Sequence, residues 1–295
     1  MDAVWPAPIG LRPEAPARPP SHFGYAYERL APPPKSDGKA DADKREVWLN
    51  NCQSIAISPD YAHFFKIWKD SFDPAASRTL EVAATSRLLV GHGNPSGADV
   101  GLTVHHTWGV PMIPGSALKG VLAHYVDAVY GDKDPHDDER RKWRGPTIGR
   151  DGRVAPEDKG GLYYAALFGS PTVTGDDKAA RAGLVTFHDA LYVPGSIKGG
   201  LVKDDTPFAR DVLTVHQKPY YDNSGKPDKD GKAHPPTDWD DPIPVGFITV
   251  RPKARFLLAL TGPPEWIQLT MPLLREALET WGAGGKTSAG YGRLK

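Results

Sequence analysis

Proline and glycine divide this sequence into short periodic segments. The chain holds 30 prolines and 31 glycines among its 295 residues. Neither residue type suits the interior of a helix or of a central strand, so loops must interrupt the core repeatedly. We therefore expect a compact core of short strands and helices from which long loops extend.

The apolar periodicity of the segments between these loops predicts an α+β fold. Once insertions are set aside, strand-like alternation and helix-like spacing occur in the order strand, helix, strand, strand, helix, strand. This is the order of a ferredoxin-like (RRM-like) domain, an antiparallel sheet with two helices on one face, whose open face is a common platform for single-stranded RNA. The predicted strands are 80–90, 102–107, 183–192, 212–215, a hairpin of 245–250 with 255–260, and 289–294; the predicted helices are 117–130 with Ser116 as N-cap, 165–168, and 273–281.

The domain organisation follows from where this periodicity begins. Residues 1–45 carry nine prolines. Such a segment cannot bury enough apolar surface to offset its ordering entropy, which predicts a flexible Pro-rich N-terminal arm. An arm docked on a neighbouring surface is the alternative, through His22, Phe23, Tyr25 and Tyr27. Residues 46–295 are predicted to form a single domain that begins with two helices in 46–72 and carries insertions at about 131–161 and 216–242.

The charge balance and the cysteine count exclude several classes of protein. With 36 Lys+Arg against 36 Asp+Glu, bulk charge cannot supply affinity for nucleic acid, so any polyanion must meet local basic groups. A single cysteine, Cys52, excludes a disulfide framework and a Cys-based zinc site, and we expect it to be a buried small hydrophobe. The sequence has no apolar run of about 18 residues and no signal-peptide pattern at its start, which predicts a soluble, cytoplasmic protein.

A glycine-rich segment at 282–292 is the strongest local signal. Five of its eleven residues are glycine. The tripeptide Gly285-Lys286-Thr287 looks like the end of a P-loop, but position 280 is Thr where that motif needs glycine. A helix also precedes the segment, whereas a P-loop is followed by one, so an ATPase is rejected.

The same segment suits a sugar-phosphate backbone. Glycines let backbone N–H groups approach phosphates, and lysine and hydroxyl side chains add charge and donors. The last fifteen residues hold three basic groups and no acidic one. The alternative is a tight helix-to-strand turn with a solvated lysine. The residues assigned to RNA contact here are Gly284, Gly285, Lys286, Thr287, Ser288, Tyr291 as a stacking face, and Arg293.

A second signal is the run Pro-Gly-Ser-Ala-Leu-Lys-Gly at 114–120, where a helix begins. The free N–H groups and the positive dipole end of a helix start suit a phosphate. Lys119 lies in the first turn, where its charge opposes the dipole, and a bound anion would offset that cost. A merely solvated Lys119 is equally compatible with the sequence.

These motifs, together, resemble the RAMP superfamily of CRISPR RNA-binding proteins. The motifs taken in their order along the chain are more specific than any one of them. In that order they are similar to the sixth-subunit family of the type III-B Cmr effector complex, over roughly residues 80–295. The segments that carry the resemblance are GHGNPSGADVGLTVHHTWGVPMIPGSALKG (91–120), FGSP (168–171), GLVTFHDA (183–190), DVLTVHQKPYY (211–221) and the glycine-rich loop.

The resemblance implies a ferredoxin-like RAMP palm, a β-hairpin thumb and a groove for guide RNA (crRNA) near its 3′ end. It implies a non-catalytic structural subunit in antiviral defence, without cofactor or membrane, that contacts crRNA and target RNA. The implied protein neighbours are the backbone RAMP subunit, the small helical subunit and a neighbouring head RAMP subunit. Segments 91–101 and 216–242 are candidates to meet the guide–target duplex. The implied RNA contacts are Ser116, Lys119, Gly285, Lys286, Thr287 and Ser288, to which we add His105 and His106.

The alternative function is a RAMP endoribonuclease that cuts guide or target RNA. Asp99 could hold Mg²⁺ on a phosphate, and His105 or His106 could deprotonate a 2′-hydroxyl. Asp99 equally suits a turn, and an alternating strand would point the two histidines to opposite faces. His188 and Asp189 are expected to form a hydrogen-bonded structural pair. No metal-ligand spacing and no Ser-His-Asp order is visible, so we predict no catalytic and no metal site.

Overall fold

The computed structural model of this chain describes residues 21–32, 42–98, 100–131, 138–147, 160–170, 181–198, 204–215 and 243–295, with a few isolated positions between 220 and 235. The helices are α1 (Phe23–Arg29), α2 (Ala42–Gln53), α3 (Asp60–Asp70), α4 (Gly115–Val129), α5 (Asp138–Arg141), α6 (Leu162–Phe168) and α7 (Pro264–Thr280). The strands are β1 (Ser77–Ala83), β2 (Met112–Ile113), β3 (Thr186–Phe187), β4 (Ala190–Tyr192), β5 (Phe208–Val215), β6 (Ile243–Val250) and β7 (Arg255–Thr261). Within these ranges, no helix is both long and apolar enough to cross a membrane.

The main sheet is antiparallel and has the strand order β1-β7-β4-β2, with β3 also paired to β7. Strand β7 is central, and five consecutive residues of it are buried, as expected for a strand covered on both faces. On the other side of β1, Leu294 pairs with Ala84, so the last residues extend the sheet. Helices α4 and α7 pack against each other, and Leu118, Leu122 and Leu274 between them are fully buried.

A second, two-stranded sheet differs from the predicted pairing. Strand β6 pairs with β5 along its whole length, from Phe208 opposite Val250 to Val215 opposite Ile243. The predicted hairpin of 245–250 with 255–260 is therefore wrong. Instead, β6 packs against α2, and β7 enters the main sheet beside β1.

Other boundaries differ for local reasons. The segment 102–107 makes only an isolated bridge from Val104 to Pro111, so the strand predicted there does not form. Helix α7 begins at Pro264, nine residues before the predicted start of 273. Proline is favoured at the first helical position, whereas the internal Pro272 reads in sequence as a boundary. Helix α4 begins at Gly115, so Ser116 lies inside its first turn and is not the N-cap.

Helix α1 lies inside the predicted N-terminal arm and is docked on the domain. Phe23 stacks on Phe208 with ring centroids 3.5 Å apart, and the Tyr27 hydroxyl donates to the Val100 carbonyl at 2.6 Å. Both aromatic side chains are buried. The flexible-arm prediction thus does not hold for residues 21–32, where the docked alternative describes the chain, because these rings bury enough apolar surface to fix the segment. Residues 1–20 and 33–41 of the predicted arm lie outside the described residues.

Cys52 is buried at 1% exposure, which confirms its prediction as a small core residue. Burial raises the pKa of its thiol to about 12, so it stays protonated and unreactive at neutral pH.

Candidate nucleic-acid interface

The glycine-rich segment forms a loop that is hydrogen-bonded to residues 87–89, a few residues after β1. The Gly285 N–H donates to the Leu89 carbonyl at 2.7 Å, and the Gly292 N–H donates to the Arg87 carbonyl at 2.7 Å. Between them, Lys286 takes a left-handed conformation with φ of 60°, and a 3₁₀ turn follows at Thr287–Ala289. The loop is therefore a defined structure joining α7 to the last residues of the sheet.

Three of the five glycines in this loop are required by the fold itself. A Cβ on Gly292 would lie 2.0 Å from the Ala283 carbonyl oxygen, and one on Gly284 would lie 2.4 Å from that of Leu89. A Cβ on Gly282 would lie 2.6 Å from the Gly292 carbonyl oxygen, and all three glycines have positive φ. Their abundance is thus explained by internal packing, and the Gly285 N–H, already bonded to Leu89, is not free for a phosphate.

The side chains at the tip of the loop remain available. Lys286 and Thr287 are half-buried, and Ser288 is exposed. None of these three side chains makes a hydrogen bond or ion pair with any residue that the structure describes. The predicted charge and hydroxyl donors are therefore in place to meet an external ligand.

Tyr291 and Arg293, by contrast, are engaged within the chain. The Tyr291 hydroxyl donates to Asp211 Oδ2 at 2.6 Å, and Arg87 Nε lies 3.2 Å from the same oxygen. Burial, together with the bond to Asp211, raises the pKa of Tyr291 to about 12. Arg293 donates to the Thr280 carbonyl at the end of α7, where cations interact favourably with the helix dipole. Both side chains thus connect structural elements, and the RNA contacts assigned to Tyr291 and Arg293 stay predictions.

The start of α4 is occupied by an internal anion. The Gly115 N–H donates to Asp189 Oδ1 at 2.7 Å, so a carboxylate already binds at the helix N-terminus where we expected a phosphate. Gly115 is also closed by packing, because a Cβ there would lie 2.1 Å from the Phe187 carbonyl oxygen. The predicted pairing of His188 with Asp189 is wrong, since His188 Nε2 bonds instead to Thr261 Oγ1 at 3.0 Å.

One face of the first turns of α4 is exposed to solvent. Ser116, Gly120 and His124 are exposed at four-residue spacing and so share one helix face. Lys119 is half-buried and forms no ion pair with a described residue.

An open cleft of about 370 Å³ separates this face of α4 from the glycine-rich loop. It brings together two motifs that are about 160 residues apart in sequence, which is the main geometric result at this site. Three of its lining residues, Val121, His124 and Trp281, were not singled out from the sequence. Two signals could have found them: His124 lies one turn after Gly120, and Trp281 directly precedes the loop. The lining residues are Gly120, Val121, His124, Trp281, Gly282, Gly284 and Thr287.

The predicted histidine and aspartate candidates lie away from this cleft or outside the described residues. His105 is half-buried and packs edge-on against Phe64 at 5.6 Å, and burial lowers its pKa. His106 is exposed, and its carbonyl accepts from His22 Nε2 at 3.1 Å. Asp99 and most of 216–242 lie outside the described residues. The described part of the chain contains no group of three or more His, Cys, Asp or Glu that could hold a metal ion.

Segment 91–101 is not an open excursion where the structure describes it. The Ser96 hydroxyl donates to the Glu28 carboxylate at 3.0 Å, and Arg45 donates to the Ala98 carbonyl at 2.7 Å. These bonds hold the loop on α1 and α2. Among the described residues of this segment, the exposed ones are Gly93, Asn94, Pro95 and Gly97.

An antiparallel sheet with packed helices and a glycine-rich loop facing a helix start is the architecture expected from the sequence resemblance. The chain belongs to the RAMP superfamily, whose pattern matches residues 81–295. It is also a homologue of the CRISPR system Cmr subunit Cmr6 of Pyrococcus furiosus, with 31% identity over 258 residues that cover 79% of this chain and 72% of that protein. The predicted resemblance is thereby confirmed. That relative is named as a subunit of a complex, in agreement with the prediction of a non-enzyme.

Solved structures were compared with this chain at the level of fold alone. A chain in the cryo-EM structure of the type III-B Cmr-beta complex bound to cognate target RNA matches with a TM-score of 0.55 at 18% identity, covering 86% of this chain and 72% of that chain. The crystal structure of Cmr6 from Pyrococcus furiosus matches with a TM-score of 0.41 at 29% identity, covering 74% of this chain and 96% of that chain. The first of these likenesses establishes a shared fold.

Proposed function

We propose that this chain is a non-catalytic structural subunit of a type III-B CRISPR effector complex, and that it holds guide RNA near the crRNA 3′ end. The RNA backbone lies over the cleft between α4 and the glycine-rich loop. Lys119 and Lys286 supply charge, and Ser116, Thr287 and Ser288 supply hydroxyl donors.

The observation that carries this proposal is the convergence of the two motifs on one cleft. Lys119 and Lys286 make no ion pair with a described residue, so their charges are available to phosphates without breaking an internal bond. Neither lysine lines the cleft itself, but each directly precedes a residue that does, Gly120 and Thr287. In a chain with no net charge, two such cations supply the local basic groups that a polyanion requires. The homology to a Cmr subunit supports the same conclusion from an independent direction.

The proposal extends to the architecture and the partners. The sheet order, with residue 294 beside β1 and β4 beside β7, supports a ferredoxin-like palm, and the β5–β6 pair is the thumb. Residues 46–295 then form one RAMP domain with α1 docked on it. The proposed partners are crRNA, target RNA, the backbone RAMP subunit, the small helical subunit and a neighbouring head subunit.

The test is a double variant, Lys119→Ala with Lys286→Ala, assayed for binding of a fluorescein-labelled single-stranded RNA over a range of salt concentrations. Each phosphate contact in single-stranded nucleic acid contributes about 0.7 to the slope of log affinity against log salt. We therefore expect the slope to fall by about 1.4 and the affinity at about 0.15 M salt to fall at least tenfold. Co-purification with the other complex subunits and guide RNA should weaken in parallel.

The matched control is Lys69→Ala with Lys198→Ala, which removes two exposed lysines that do not line the cleft and belong to neither motif. It should leave affinity and slope unchanged. Wild-type affinity in the Lys119 and Lys286 double variant would contradict the proposed site. Cleavage of labelled guide or target RNA by the purified chain, lost in Asp99→Ala, would contradict the non-catalytic role.

A further inference from the structure

Gly120 has no internal reason to be glycine. It lies in the interior of α4, where glycine destabilises a helix relative to alanine. A Cβ at this position would meet nothing within 4 Å, and its φ is ordinary. Gly115 on the same helix is different, because it is closed by the Phe187 carbonyl. The space beside Gly120 is therefore left open toward the cleft, and a group from outside the chain can approach the helix backbone there.

The cleft beside Gly120 has one aromatic and apolar wall. Trp281 packs edge-on against the buried Tyr125, with centroids 5.4 Å apart and planes at 84°, which fixes the orientation of its indole ring. Val121 and the exposed His124 complete this wall from α4. A phosphate gains nothing from a wall of this kind, whereas the flat face of a nucleobase does, because bases stack on aromatic rings.

The size of the cleft also favours a single nucleotide. Its volume of about 370 Å³ is at the lower end of the range of small-ligand sites, about 300–1,000 Å³. Thr287 lines the same cleft, and Lys286 precedes it at the loop tip, where both can contact the phosphate attached to an inserted nucleotide.

We propose that the cleft receives the base of one single-stranded RNA nucleotide, seated beside Gly120 and against Trp281 and His124. This inference rests on the proposed function and adds the part of the RNA that the cleft selects.

The test combines a cleft-filling variant with an RNA that lacks bases. Gly120→Met fills the open space from the helix side without an internal clash, so its melting temperature should equal or exceed that of the wild type. The probes are a labelled 12-nucleotide single-stranded RNA of mixed sequence and a sugar–phosphate 12-mer without bases. We expect the full-length wild-type chain to prefer the RNA with bases by about tenfold, as the stacking of one base would give. Gly120→Met should lose most of that preference while keeping the wild-type salt slope.

The matched control is Ala128→Met, which adds the same side chain at an exposed position two turns further along α4. It should keep the full preference for the RNA with bases. Equal affinity of the wild type for both probes would overturn the base site while leaving phosphate binding standing. An unchanged preference in Gly120→Met would also overturn it. If the wild type binds neither probe, the proposed function fails and the base site fails with it.

Discussion

The glycine-rich loop and helix α4 face each other across one cleft, and glycines on its two sides differ in what surrounds them. In the loop, Gly284 and Gly292 are closed by neighbouring carbonyl oxygens, so they record how the chain packs on itself. On α4, Gly120 faces open space. A glycine-rich stretch is therefore weak evidence of binding until internal packing has been subtracted. A glycine that internal packing does not explain, such as Gly120, is the better indication of a binding site.

The largest expected effect is on the free energy of unfolding. Replacing a glycine by alanine should lower it on the loop side of the cleft and raise it on the α4 side. Gly292→Ala places a Cβ at a positive φ of 78° and 2.0 Å from a carbonyl oxygen, so we expect it to cost about 3 kcal/mol or more of unfolding free energy. Gly120→Ala should instead stabilise by about 0.5–1 kcal/mol, because alanine favours a helix interior. Urea denaturation of both variants measures the difference. Similar losses in the two would remove the distinction between them.

A smaller loss of unfolding free energy is expected at Asp211. Variants there test whether Tyr291 stabilises the fold or contacts RNA. Asp211→Ala removes the acceptor of the Tyr291 hydroxyl and the partner of Arg87. Because hydrogen bonds to a charged group are worth about 1.5–3 kcal/mol, we expect a loss of about 2 kcal/mol. Tyr291→Phe, the conservative control, should lose about 1 kcal/mol and leave RNA affinity unchanged. A large loss of RNA affinity in Tyr291→Phe at wild-type stability would return Tyr291 to the interface.

The smallest effect concerns pH and His105, which the structure places in an internal contact. Burial lowers the pKa of both His105 and His188, so the folded chain keeps these rings neutral where the unfolded chain protonates them. Their contribution is present above the ordinary histidine pKa of about 6.5 and is lost as pH falls below it. We expect a decline under about 1 kcal/mol, because both rings retain solvent contact.

Denaturation between pH 7 and pH 5 tests this directly. The double variant His105→Gln with His188→Gln should show a flatter decline, whereas the exposed His63→Gln should follow the wild type. A decline of the same steepness in the double variant would show that other groups cause it.

Local patterns predicted the elements better than their partners. The apolar spacing in 117–130 predicted α4 to within two residues at its start, and the position of the glycine-rich loop followed from composition. The pairing of β6 with β5 was missed because it depends on which strand α2 covers, a tertiary choice that alternation does not encode. The internal cap of α4 by Asp189 was missed for the same reason.

The cleft itself was half predicted. The lining residues Gly284 and Thr287 were singled out from the glycine-rich motif, whereas His124 and Trp281 belong to no motif and become part of a site only because α4 and the loop meet. The number of glycines, conversely, overstated the evidence for phosphate binding by the loop, because the sequence does not show the distances at which these residues pack. Of the aromatic residues considered as possible anchors in the Pro-rich segment, Phe23 and Tyr27 are buried and Tyr25 is exposed, a difference that composition does not show.

The pairing of Leu294 with Ala84 has a consequence for timing. The two walls of the cleft are separated by about 160 residues, and the last sheet contact spans about 210, so both are among the contacts of highest sequence separation in the described chain. Contacts of this kind form late, because the loop between their ends must close first. During synthesis, a nascent chain that has reached only residue 280 has β1, α4 and α7 but no cleft. The cleft is therefore completed only when the rest of the domain is already in place.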